Sequence, residues 1–257
     1  MYKVLVVGNA KCGKTSLIQR FANNRFEDAY ETTIGADYAR KVVPQADGSH
    51  VHLQLWDLAG QDRFTKLTRA YYNSARAAVV VCDISRAETL AAVHGWKREL
   101  NEHFELDNEE KRRNFPVVLL MNKSDLLDKS TDELLRMGQQ LERAKNELGF
   151  TAAYTTSAKE SRYVTETMDF LIGSLRKIDA SERAGGACDD EDDDDIEALL
   201  ERSTQLRLKR QQQQESLETA ADAPPKESAA SGASVVDIRG DAQTSSGASG
   251  SQASCCY

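Results

Sequence analysis

Apolar residues arrive along this chain in short unbroken runs, separated by stretches with helical spacing. YKVLVVG at 2–8 is rich in β-branched residues, and it passes at once through a glycine loop into a helical pattern from Lys14 to about Asn23. RKVVPQADGSHVHLQLWD, from Arg40 to Asp57, reads as two strands joined at the turn dipeptide Asp47-Gly48. Three further runs, AAVVVCDI at 77–84, FPVVLLMN at 115–122 and TAAYTTSA at 151–158, alternate with helical stretches near 88–104, 132–148 and 162–178. A strand that is apolar at successive positions must be covered on both faces, so the pattern predicts an α/β domain built on a mostly parallel sheet. In such sheets ligands bind beyond the carboxyl ends of the strands.

The alternation stops near residue 180. Beyond it no aromatic residue occurs until Tyr257, and Ser, Gly, Ala and Gln take over. We therefore expect one globular domain, 1–180, and a disordered tail, 181–257. Charge follows the same boundary. Of the net −8, residues 181–257 contribute 16 acidic against 7 basic side chains, while residues 1–180 carry 25 against 26. A nearly neutral domain has no basic face for nucleic acid. MYKVLVVG lacks the charged start and cleavage site of a secretory signal, and no apolar run nears the ~20 residues that span a bilayer. Cys12, Cys82, Cys188, Cys255 and Cys256 have neither a disulfide-framework nor a zinc spacing, which predicts a reducing cytosolic setting.

Four of the five strand ends carry a motif. The first is Gly8-Asn9-Ala10-Lys11-Cys12-Gly13-Lys14-Thr15, followed by Ser16, which fits G-x-x-x-x-G-K-[ST] between a strand and a helix. Glycines let backbone N–H groups close around phosphate oxygens at the positive end of the helix. Lys14 would reach the β- and γ-phosphates, and the Thr15 hydroxyl would bind Mg²⁺. The second is Leu55-Trp56-Asp57-Leu58-Ala59-Gly60-Gln61. There Asp57 can hold Mg²⁺ through water, Gly60 can offer its N–H to a γ-phosphate, and Gln61 can orient an attacking water.

The third motif, Asn122-Lys123-Ser124-Asp125, decides the base. A carboxylate at Asp125 can accept from both N1–H and the 2-amino group of guanine, whereas adenine would leave it unpaired at high cost. Asn122 and Lys123 would brace the base and its loop. In the fourth, Thr156-Ser157-Ala158-Lys159, the Ala158 N–H can meet guanine O6 and the Lys159 stem can lie along the ring.

These four motifs, in this order and spacing, resemble the Ras-like small GTPases over residues 2 to about 178. The resemblance implies a six-stranded, mostly parallel sheet with one antiparallel strand and five helices on both faces. It also implies that Phe26 packs on the guanine and that Thr33 closes onto Mg²⁺ when GTP is present. Ile34-Gly-Ala-Asp-Tyr38, His52-Leu-Gln-Leu-Trp56, Arg63-Phe-Thr-Lys-Leu-Thr68, Tyr71-Tyr-Asn-Ser-Ala75 and Val80-Val-Cys-Asp-Ile-Ser85 resemble segments of the Rab family. Leu58, Thr68-Arg-Ala-Tyr-Tyr72 and the polar insertion from Asn101 to Asn114 are similar to the Rab branch serving lysosome-related organelles.

The family resemblance implies a monomeric switch, in which GTP orders loops at about 25–40 and 57–75 and presents them to effectors. Trp56 and Phe64 are expected between those loops. It further implies slow GTP hydrolysis, an exchange factor, an activating protein, a GDP-dissociation inhibitor and an escort protein. Lys11 is unusual in its loop, and points either to solvent or toward the phosphates. In the tail, Ile196, Leu199, Leu200, Leu206 and Leu208 support either a short amphipathic helix or a solvated spacer. The terminal Cys255-Cys256 pair resembles a Rab prenylation site carrying two geranylgeranyl groups. The implied location is the cytoplasmic face of an endosomal, lysosome-related or trans-Golgi membrane, in exchange with cytosol. A P-loop kinase or ATPase and a non-cycling pseudo-GTPase are the competing readings.

Overall fold

The computed structural model describes residues 1–28, 31–60, 71–127 and 130–185. Its elements run β1 (Tyr2–Val7), α1 (Lys14–Asn23), β2 (Ala36–Pro44), β3 (His50–Leu58), β4 (Ala77–Asp83), α2 (Ala87–His103), α3 (Glu109–Asn114), β5 (Val117–Asn122), a 3₁₀ turn (Ser124–Leu126), α4 (Thr131–Leu148), β6 (Ala152–Thr155) and α5 (Val164–Gly185). The six strands form one sheet in the order β2-β3-β1-β4-β5-β6, with β2 antiparallel to β3 and the other pairs parallel. This is the mixed six-stranded architecture that the motifs imply.

Strand periodicity explains the unbroken apolar runs. Leu5 and Val7 point to one face, where Val93, Trp96 and Leu100 of α2 cover them and α4 adds Leu141 and Leu148. Val4 and Val6 point to the other, against Leu17, Ile18 and Phe21 of α1 and Met168, Leu171 and Leu175 of α5. Successive residues in β1 therefore need apolar side chains whichever way they face. The edge strand β2 alternates exposure, and Arg40 and Lys41 lie along it with Pro44 at its end, a composition that discourages pairing with another sheet edge.

The observed elements depart from the expected ones in three places. β6 is only four residues long because the chain leaves the sheet at Thr156, whose N–H donates to the Met121 carbonyl at 2.8 Å before Ser157 bridges to Arg162. α5 extends to Gly185, past the expected 178. Its later turns are tied down by Tyr2 to Asp179 at 2.5 Å and by Arg76 to Asp179 and Glu182, both at 3.0 Å. Inside the polar insertion, Asn108 caps the short α3 by accepting from the Lys111 N–H at 2.8 Å. There Leu106 is buried and Phe104 stacks on Phe115 with ring centroids 4.0 Å apart.

The parallel strands all deliver their carboxyl ends to one edge. Gly8, Asp57, Asp83, Asn122 and Thr156 lie at or just past those ends.

Candidate nucleotide-binding site

The loop between β1 and α1 is held by its own lysine. Lys14 is buried, and its ammonium donates to the carbonyls of Gly8 at 3.1 Å and Asn9 at 3.2 Å, spanning the loop it belongs to. Gly13 precedes the helix with φ 92°, and a Cβ there would sit 2.3 Å from the Asn122 amide nitrogen. Only glycine fits both the backbone angle and that contact. Behind it the free N–H groups of the first turn of α1 form an anion cradle. Lys11 adopts φ 64° and is exposed. Cys12 is fully buried, and burial pushes its thiol pKa up.

Beside the cradle stands a cluster of three oxygen side chains. The Thr15 hydroxyl donates to Asp57 Oδ2 at 2.5 Å, Thr33 donates to the same oxygen at 3.0 Å, and the two hydroxyls lie 3.0 Å apart. Thr33 reaches them from the segment before β2, and Asp57 comes from the end of β3. Asp57 is 2% exposed, and its Oδ1 has no hydrogen-bond partner. Burial pushes its carboxyl pKa up, against the pull of Lys14 and the two hydroxyls. A buried, half-satisfied carboxylate flanked by hydroxyls suits a hard divalent cation that takes its remaining ligands from phosphate and water. Mg²⁺ fits this donor set.

The base-side loops are joined through Asn122. Its amide nitrogen donates to the Cys12 carbonyl at 3.0 Å, and its oxygen accepts from the Ala158 N–H at 3.2 Å and the Thr156 hydroxyl at 3.4 Å. The phosphate loop and the Thr156–Lys159 loop thus share one side chain. Asp125 accepts from the Ser157 hydroxyl at 2.6 Å, which aims its carboxylate. Lys123 turns with φ 66° and pairs with Asp83 Oδ2 at 2.7 Å. The Ala158 N–H, expected on guanine O6, points to Asn122 here, so a base would share that donor. Lys159 lies 3.9 Å from Asp28. Phe26 is half-exposed and packs beside α1, 5.9 Å from the Arg20 guanidinium.

A family model for the Ras family matches residues 3–177. Rab-7L1 of Rattus norvegicus is 41% identical over 172 residues, which is 67% of this chain and 80% of that protein. Rab-32A of Dictyostelium discoideum is 39% identical, covering 70% of this chain and 80% of its own. Rab-32 of Homo sapiens is 41% identical, covering 67% and 73%. The chain belongs to the Rab GTPases of the Ras family. As a Rab it binds guanine nucleotide, hydrolyses GTP and acts as a switch in membrane traffic through regulators and effectors.

Within this Rab, one departure from the usual pattern has a structural setting. Leu58 is 1% exposed and belongs to the same core cluster as Trp56 and Tyr72, so it is a packing residue. Trp56 is 0% exposed. Its ring stacks against Tyr38 with centroids 5.7 Å apart. Gln61, Phe64 and the rest of 61–70 lie outside the described residues, as do Cys188, Cys255, Cys256 and the tail segment 196–210. Among the described residues no helix is long and apolar enough to cross a membrane.

The structure also brings in residues that the motifs did not single out. Arg20 of α1 donates to the carbonyls of Ala158 at 2.8 Å and Lys159 at 3.1 Å, pinning the base loop from below. Asp83, Arg86 and Trp96 gather behind the phosphate loop. Asp83 was visible in principle, since it ends β4 within the Rab-like segment 80–85, where no role had been attached to it. Arg20 and Trp96 look like ordinary helix residues in the sequence and carry no local signal.

Proposed function

We propose that this Rab cycles between GDP and GTP with Mg²⁺ held at Thr15, Thr33 and Asp57, and that two lipids on Cys255 and Cys256 anchor it to an intracellular membrane. The observation that carries the first half is the oxygen cluster, because it draws one residue from each of three separate segments to a single point. Mg²⁺, when bound, neutralises charge between the β- and γ-phosphates. The chain's own residues do the rest. Lys14 and the loop N–H groups hold the phosphates, Gly60 donates to the γ-phosphate, and Gln61 orients the attacking water. Asp125 accepts from the guanine edge, Asn122 and Lys123 brace it, and the Phe26 ring and the Lys159 stem cover the base.

Thr33 is the switching residue of this scheme. Its hydroxyl joins Asp57 only while residues 31–35 lie over the site, so loss of the γ-phosphate releases the first loop while the base stays bound. Intrinsic hydrolysis on this design runs at about 10⁻⁴ to 10⁻² per second, and an arginine from an activating protein adds ~10³ to 10⁵. An exchange factor, an escort protein and a GDP-dissociation inhibitor complete the cycle. One lipid gives a marginal anchor and two give a stable one. The acidic run at 189–195 opposes electrostatic attraction to anionic lipid, so membrane choice rests on partner proteins. The similarity to Rab-32-type proteins supports a lysosome-related, endosomal or trans-Golgi membrane, entered from the cytosol.

The test has two parts. Nucleotide extracted from the purified protein should chromatograph as GDP, and loaded GTP should turn over slowly in Mg²⁺ and be lost in EDTA. Separately, geranylgeranyl transfer assayed by mass should add two groups to the wild type, one to Cys255→Ser and one to Cys256→Ser. Recovery of adenine nucleotide, or no lipid transfer in the presence of escort protein, would refute the corresponding half.

A further inference from the structure

The acid at the end of β4 connects the two halves of the nucleotide site. Asp83 is 1% exposed, and both oxygens of its carboxylate have polar partners. Oδ1 accepts from the Ser85 N–H at 3.0 Å and the Ser85 hydroxyl at 2.6 Å. Oδ2 accepts from Arg86 Nε at 3.1 Å and Lys123 Nζ at 2.7 Å. Burial alone would push this carboxyl up, but the bonds from Lys123 and Ser85 outweigh it and hold its pKa below the ordinary range. The pair of cations on one buried carboxylate is thus a charged hub, with Lys123 leading to the base loop.

Arg86 carries the hub to the phosphates. While its Nε remains on Asp83, its Nη2 donates to the Ala10 carbonyl at 2.9 Å. The neighbouring residue of the same loop is gripped too, since the Trp96 indole N–H donates to Asn9 Oδ1 at 2.9 Å from the buried face of α2. Lys14 holds the Gly8 and Asn9 carbonyls of that loop. The loop therefore has three sets of anchors, one through the motif lysine, one through the Asn122 amide on the Cys12 carbonyl, and one through Arg86 and Trp96.

We propose that Arg86 and Trp96 are positioning residues for the phosphate loop, and that Asp83 couples this loop to the base loop so that nucleotide leaves only when both relax together. This rests on the guanine-nucleotide reading above. It predicts that GDP release is set in part by side chains that never touch the nucleotide. Only a planar fork can serve Asp83 and Ala10 at once, because a lysine ammonium on its flexible stem presents a single point charge.

The substitution Arg86→Lys separates bridging from simple charge balance. Release of a fluorescent GDP analogue from Arg86→Lys should be about tenfold faster than wild type, while its thermal midpoint stays within about 2 °C because the pairing with Asp83 is retained. Arg86→Gln should be as fast and also melt lower. If Arg86→Lys releases GDP within twofold of wild type, the bridge does not hold the loop and the proposal fails. Trp96→Phe keeps the ring in the core and removes only the N–H. It should release GDP about threefold faster, and it decides the matter alone if the arginine variants do not fold, an unchanged rate then overturning the proposal. A wild-type protein that retains no guanine nucleotide would instead overturn the functional reading on which this rests.

Discussion

Replacing Gly60 by alanine tests how closely the second switch loop must approach the phosphate loop. A Cβ built on Gly60 would lie 2.3 Å from the Ala10 nitrogen, 2.5 Å from the Asn9 carbonyl carbon and 2.7 Å from the Gly8 oxygen. All three are backbone atoms, so no side chain can swing aside. Ordinary contact begins near 3.4 Å, and the loops must therefore separate by about 1 Å. Gly60 has no positive φ, so alanine costs nothing in backbone conformation and the effect is purely steric. A shift of that size would break the hydrogen bond proposed from the Gly60 N–H to a γ-phosphate, which as a charge-assisted bond would contribute roughly 1.5–3 kcal/mol. GDP lacks the γ-phosphate and should bind nearly as before. The expected outcome is a fall of about 10- to 150-fold in GTP affinity relative to GDP, read by competing each nucleotide against a fluorescent GDP analogue. A GTP-to-GDP affinity ratio within twofold of wild type would refute the reasoning, since it would mean that the second loop reaches the phosphate by some other approach.

Three further outcomes follow from other parts of the molecule. Ser157→Ala removes the 2.6 Å bond that aims Asp125, and GDP should lose about tenfold in affinity while inosine diphosphate, which lacks the 2-amino group, loses less; an unchanged preference between the two would show that the carboxylate is aimed by something else. Lys11→Gly relieves a left-handed backbone angle at an exposed residue and should change GDP release less than threefold while raising the thermal midpoint, so a larger kinetic change would place the lysine in phosphate binding. Lys97 is 2% exposed and burial pulls its ammonium pKa down to about 8. The unfolded chain then binds the extra proton between pH 8 and 10.5, so this lysine makes stability rise with pH across that window. Lys97→Met should remove about 2 kcal/mol of the gain between pH 7.5 and 10 in urea unfolding, and an undiminished gain would rule the lysine out.

Much of this protein is legible in the order of its residues, for reasons of local physics. Backbone cradling of phosphate demands glycines at fixed spacing, so Gly8 through Thr15 declares itself wherever it occurs between a strand and a helix. Strands buried on both faces must be apolar throughout, which made β1, β4 and β5 plain. The proposed base choice rests on one carboxylate, Asp125, and that residue too is visible. The insertion looks only polar in the sequence because α3 buries none of its own residues; what orders it is the buried Leu106 and the Phe104–Phe115 stack, whose two rings flank it and which pattern alone does not weight.

What the sequence could not supply was every contact between segments far apart in the chain. The meeting of Thr15, Thr33 and Asp57 was expected only through the family resemblance; what brings them together is that α1, the segment before β2 and the end of β3 meet at one edge of the sheet. Arg20 reaches the base loop across 138 residues and Trp96 reaches the phosphate loop across 87. Those side chains have no local signature, since nothing in the residues around Trp96 distinguishes an indole that merely fills the core from one whose N–H also finds Asn9. Local chemistry names the groups proposed to meet the nucleotide. The tertiary structure alone decides which buried side chains hold those groups in place, because hydrogen bonds over such separations exist only after the sheet has brought its strand ends together.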